Sequence, residues 1–69
     1  MTFDQIENIF VHHSPKPGQA EKYESIRAYC KVLAHFLNEK LPDSREKSTA
    51  LTNLQAVMMW SNAAVAINE

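Results

Sequence analysis

The chain has a single cysteine, a single glycine and no surplus of either charge, and each shortage closes off a class of protein. A lone Cys30 can form no internal disulfide and cannot anchor a cysteine-rich zinc site. Lys and Arg number seven against eight Asp and Glu. That balance leaves no block of positive charge with which to hold a DNA or RNA polymer or an anionic membrane. No apolar run approaches the roughly 18 residues of a membrane span, and the polar, acidic start TFDQIENIF is unlike a secretory signal. A soluble, intracellular protein is expected, and one free thiol agrees with a reducing compartment.

A chain of 69 residues makes one domain, and a domain of that size buries only about 60% of the surface its unfolded chain exposes. With no disulfide and no metal ligand set, self-association is the remaining way to stabilise it. Gly18 and the prolines Pro15, Pro17 and Pro42 divide the chain into three segments. Residues 2 to 10 are expected to form a short helix capped by Thr2, with Phe3, Ile6, Ile9 and Phe10 on one apolar face that must dock. Residues 11 to 18, VHHSPKPG, disfavour helix and leave a loop. From 19 to 40, Tyr23, Ile26, Cys30, Leu33 and Leu37 recur at spacings of three and four, and Tyr29, Val32 and Phe36 widen that stripe. Pro42 stops this helix, because the residue before proline is biased away from helical angles. Asp43 or Ser44 then caps a third helix running from 44 to 67. The short connection makes helices two and three an antiparallel hairpin, so the fold class is all-α.

The third helix is polar at its start. From Ala56 to Ile67, however, its only polar residues are Ser61 and Asn62. A helix apolar on every side must be covered on every side, which two other helices of one short chain cannot do. Further copies are expected to supply the cover, with Val57, Met58, Met59 and Trp60 as bulk and Ala63, Ala64 and Ala66 allowing close approach.

Catalysis requires a nucleophile with a base, convergent carboxylates or an open metal site. None is evident in the pattern, so a non-catalytic protein without cofactor is expected. Asp43 and Glu46 belong at the positive end of a helix dipole rather than in an acid and base pair. The polar residues that remain favour anion binding: Lys16 in the loop, Lys22, Arg27 and Lys31 on the second helix, and Arg45 in the first turn of the third. His12, His13 and Tyr23 add flat rings suited to stacking on a nucleobase.

Three stretches carry a family resemblance: FVHHSPKPGQAEKYESIR, then PDSREKSTALTNLQ, then MMWSNAAVAINE. Together they resemble the phage anti-CBASS sponge proteins (anti-CBASS protein two) across nearly the whole chain. The resemblance implies a compact helical homohexamer in the cytoplasm of an infected bacterium. Such a protein sequesters cyclic oligonucleotide messengers without cleaving them, and the CBASS effector is never activated. In that family cyclic dinucleotides are held between neighbouring protomers and cyclic trinucleotides occupy separate sites. His12 takes the place of the loop aromatic that stacks on a base, with His13 beside it. Arg27 takes that of the basic residue on helix two that contacts phosphate. Tyr29 replaces a small polar residue near the trinucleotide site, and Ile67 stands where arginine is common. Lys22, Tyr23 and Arg45 join the ligand-binding set on their chemistry alone. Two rivals are a helical interaction module that inhibits a host protein and a metal-dependent phosphodiesterase acting on the same messengers.

Overall fold

The computed structural model describes residues 1–69, and they form three helices and no strand: α1 (Phe3–Ile9), α2 (Gln19–Lys40) and α3 (Arg45–Asn68). Each boundary has a local cause. Thr2 caps α1 through a reciprocal pair, in which the Gln5 amide N–H donates to Thr2 Oγ1 at 3.1 Å and the Thr2 N–H donates to Gln5 Oε1 at 2.8 Å. That arrangement satisfies two of the amides left open at a helix start. Gly18 precedes α2 with φ of 85°, left-handed geometry that only glycine adopts without strain. At the other end of α2, Leu41 is extended (ψ 142°), as the following Pro42 demands.

Of the two residues able to cap α3, Ser44 does so: its Oγ accepts from the Lys47 amide N–H at 3.1 Å. Asp43 instead accepts from Lys47 Nζ at 2.8 Å, one helical turn on. That hydrogen bond, followed by the attraction of the ammonium charge, holds the Asp43 carboxyl below the usual carboxylate range.

The expected hairpin is present, with α2 and α3 packed antiparallel about the four-residue turn from Leu41 to Ser44. The facing stripe of α2 is half-buried at Tyr23, Ile26, Cys30, Ala34 and Leu37. Ala34 takes the place expected of Leu33, which is 44% exposed. The substitution follows from helix geometry: at 3.6 residues per turn the contact line drifts across the seam, and a small alanine lets the α3 backbone approach. The docking expected of α1 is only partly realised. Its Asn8 Nδ2 donates to the Ile67 carbonyl at 3.2 Å, which seats α1 on the last turns of α3. All four residues of its apolar face, Phe3, Ile6, Ile9 and Phe10, remain exposed.

The result is a slab of 45 × 28 × 12 Å. Its short axis is about one helix diameter, so the chain is a single layer where a domain normally has at least two. No apolar residue is buried; the one buried residue is Gln19. The accessible surface is 5739 Å², against about 4,400 Å² for a compact monomer of this mass. The radius of gyration is 15.3 Å, against about 11 Å for a compact domain of this length. Trp60, Met59 and Val57 on α3, and Tyr29, Val32 and Phe36 on α2, all stand in solvent.

Candidate nucleotide-binding site

The open end of the hairpin, away from the Pro42 turn, gathers most of the polar side chains of interest. There the last turn of α3 acts as a docking hub. The Val65 carbonyl accepts the Glu69 N–H at 3.1 Å, the carbonyls beyond it lack a backbone partner, and the negative end of the helix dipole draws donors and cations to this turn. Asn8 reaches the Ile67 carbonyl, and Gln19 Nε2 donates to the Val65 carbonyl at 3.5 Å. Lys16 Nζ donates to the Glu69 carbonyl, and Lys22 forms an ion pair with the Glu69 carboxylate. The proline-bearing loop is thereby fastened on both of its flanks to one end of α3.

The two adjacent histidines have different surroundings. His13 is half-buried, and its ring Nε2 lies 2.6 Å from the Asn8 carbonyl oxygen. The ring N–H donates in that contact and closes the loop back onto α1. His12 is exposed and makes no hydrogen bond within the chain. Of the two rings, His12 is the one available to a ligand.

Beside the loop, α2 and α3 leave an open groove of about 410 Å³ lined by Tyr23, Arg27, Asn62, Ala63 and Ala66. Tyr23 and Arg27 are four residues apart and share one face of α2. Ala63 and Ala66 leave room above α3, where a larger side chain would fill the groove. Asn62 Oδ1 is shut off from solvent and has no hydrogen-bond partner, an arrangement that costs roughly 1–3 kcal/mol. Its only signal in the sequence is that it is a polar residue inside an apolar run. Arg27 also borders a second, more apolar trough of about 450 Å³ together with Lys31 and Cys30. Arg27 therefore borders both openings and is exposed.

Of the seven residues nominated from sequence, the structure brings Tyr23 and Arg27 into one groove and places His12, His13 and Lys22 at the same end of the hairpin. The Lys22 ammonium is engaged by Glu69. Tyr29 is two residues past Arg27, which turns it to another side of α2, and it is 79% exposed. Arg45 opens α3 at the far end: seventeen residues separate it from Asn62, about 26 Å of helix. A single chain does not bring Arg45 or Tyr29 to the groove. No three His, Cys, Asp or Glu side chains converge in a way that could hold a metal.

A family model described as Acb2/Tad1, hairpin domain, matches residues 4–66. The chain belongs to the Acb2/Tad1 hairpin family. This is the anti-CBASS protein 2 family, and the match runs from the first turn of α1 to the last turns of α3. Loop, groove and hairpin thus all lie inside the region that defines the Acb2/Tad1 hairpin. Comparison with curated proteins and with solved structures gave no significant match. No helix is long and apolar enough to cross a membrane.

Proposed function

We propose that this protein is a non-catalytic sponge that binds cyclic dinucleotide messengers, and cyclic trinucleotides as a second class, in the cytoplasm of a phage-infected bacterium. It would act as a homohexamer and withhold the messenger from the CBASS effector. The observation that carries this reading is the Acb2/Tad1 hairpin match over residues 4–66, coinciding with an open groove that presents Arg27 beside Tyr23. Arg27 supplies a planar cation able to grip a phosphate bidentately. His12 and Tyr23 supply rings for the bases.

Assembly is supported by area. The chain exposes about 1,300 Å² more than a compact monomer of its mass, whereas a standard interface takes about 800 Å² from each partner. The excess is therefore enough for one standard interface and part of a second. Six copies in dihedral symmetry contain both two-fold and three-fold axes. A ring with two phosphates suits the former and a ring with three the latter. Assembly also concentrates charge, because a nearly neutral chain can direct Arg27 of several copies at one small dianion. A submicromolar sponge requires more than about 8 kcal/mol of binding free energy. Rigid packing between copies lowers the ordering cost that would otherwise be subtracted.

The exposed apolar faces also accommodate the rival reading, a helical module that docks on a host protein. Thermal shift and native mass with and without cyclic di- and trinucleotides separate the two. The sponge is a hexamer stabilised by at least one of these ligands, and Arg27→Ala weakens the effect without dissociating the assembly. A monomer or dimer indifferent to all of them would favour the docking module.

A further inference from the structure

The one residue that the chain shuts away from solvent is a glutamine, 6% exposed, in a protein with no buried apolar side chain. A primary amide taken out of water without partners is costly, and Gln19 finds partners for both ends. Its Oε1 accepts from the Lys16 backbone N–H at 2.9 Å, and its Nε2 donates to the Val65 carbonyl at 3.5 Å. Its own backbone N–H donates to the Lys16 carbonyl at 3.0 Å. The turn Lys16-Pro17-Gly18-Gln19 is thus closed by two short hydrogen bonds between its end residues, while the longer third ties it to α3.

Position gives this lock its consequence. Gln19, Tyr23 and Arg27 follow one another at intervals of four on the same face of α2, so Gln19 lies at the loop end of the stripe that forms the groove wall. Val65 is three residues beyond Asn62, on the opposite wall. A single side chain therefore joins the loop bearing His12, the α2 wall bearing Tyr23 and Arg27, and the α3 wall bearing Asn62. Apolar packing could hold two helices together without setting the direction in which a proline loop leaves them; paired hydrogen bonds do set it.

We propose that Gln19 is a positioning residue for the ligand site, fixing the angle at which the His12 loop meets the Tyr23–Arg27 groove. The proposal rests on the sponge reading and adds to it the part that orders the site before ligand arrives. Without the lock, the loop must be ordered at the expense of binding. Leucine keeps the bulk of the side chain and loses both side-chain hydrogen bonds, leaving only the backbone bond to the Lys16 carbonyl; methionine does the same with an unbranched chain of similar length.

The test is a double-mutant cycle on the full chain, with a purine cyclic dinucleotide as probe and affinity read by calorimetry. Native mass, circular dichroism and hydrogen exchange of residues 11–18 are followed alongside. Gln19→Leu is expected to lose at least tenfold in affinity with mass and helicity unchanged and loop exchange faster. The decisive readout is coupling: His12→Ala is costly in the wild-type background and nearly free in Gln19→Leu, because the loop no longer delivers His12 to the ligand. A purely structural role would leave the two losses additive. If Gln19→Leu fails to assemble, Gln19→Met is read in its place, with a similar loss and the same coupling, because it fills the site with a flexible unbranched chain and introduces no buried charge. A wild type that binds while Gln19→Leu binds equally well, or losses that simply add, would overturn this role and leave the sponge reading intact. A wild type that binds no probe overturns both.

Discussion

Trp60 is 76% exposed in the single chain. A tryptophan contributes on the order of 150–250 Å² when buried, so about 110–190 Å² of this side chain is left for a neighbouring copy to cover. At about 25 cal/mol per Å², that cover is worth about 3–5 kcal/mol per protomer, an upper bound given the extended reference chain. If the side chain stays in water, truncation should change stability by no more than about 0.5 kcal/mol. Trp60→Ala therefore separates the two situations by several kcal/mol, or roughly two or more decades in the dissociation constant. The assay is sedimentation across a dilution series, paired with intrinsic fluorescence. Trp60 is the only tryptophan, so emission reports on it alone. The expected result is blue-shifted emission at micromolar concentration, a red shift on dilution that coincides with loss of mass, and dissociation of Trp60→Ala at concentrations where wild type stays assembled. Solvated emission throughout, with Trp60→Ala keeping wild-type mass under dilution, would mean that no neighbouring copy covers the apolar girth of α3.

Four further outcomes concern the Ser44 cap, the Asp43 turn and the two loop histidines. Ser44→Ala removes the acceptor for the Lys47 amide and should cost about 1 kcal/mol, lowering Tm by about 4–8 °C, while Ser44→Gly costs only a few tenths; equal Tm values for all three would show that the cap is not used. Asp43 is ionised more readily in the folded chain than in the unfolded one, so its contribution is present above the usual value of 3.8 and is lost as pH falls through the lowered folded value. The Tm difference between wild type and Asp43→Asn should accordingly be small and salt-sensitive at pH 6 and vanish in acid; a difference that grows on acidification would contradict the pairing with Lys47. His12→Ala should weaken a cyclic dinucleotide by about 1–3 kcal/mol, roughly 5- to 150-fold, as the loss of one base stack does, without changing the Tm of the ligand-free protein. His13→Ala should instead speed proteolysis of the loop, and the reverse pattern would exchange the two roles.

Much of the fold was legible in the sequence because its punctuation is local. Gly18 and Pro42 sit one residue before and one residue after the ends of α2 and its cap, and their backbone constraints act whatever the tertiary context. The stripe from Tyr23 to Leu37 was legible for the same reason, apart from Leu33 and Ala34, where the seam's drift depends on a partner helix that no periodicity describes. The site was less legible. Asp43 and Ser44 both satisfy the chemistry of a cap, and only the geometry of the turn decides between them. The polar ties of the loop run to residues 46 to 59 positions away, beyond any spacing rule, so Gln19 and Asn8 gave no signal. Nor did the division of labour between His12 and His13, which depends on where the Asn8 carbonyl lies. Asn62 was noticeable only as an exception to an apolar run, while Arg27 was marked by resemblance as well as by charge.

Sequestration without chemistry leaves the bound ring intact, and that can be read from the ligand itself. The protein is equilibrated with a radiolabelled cyclic dinucleotide, separated from free ligand by gel filtration and heat-denatured, and the released label is identified by chromatography. The expected label co-elutes with an assembly of six chains and is recovered as the intact ring. Recovery as a linear dinucleotide or mononucleotides would make the protein an enzyme, and label that never leaves the free-ligand fraction, for any cyclic di- or trinucleotide, would mean that it is not a sponge.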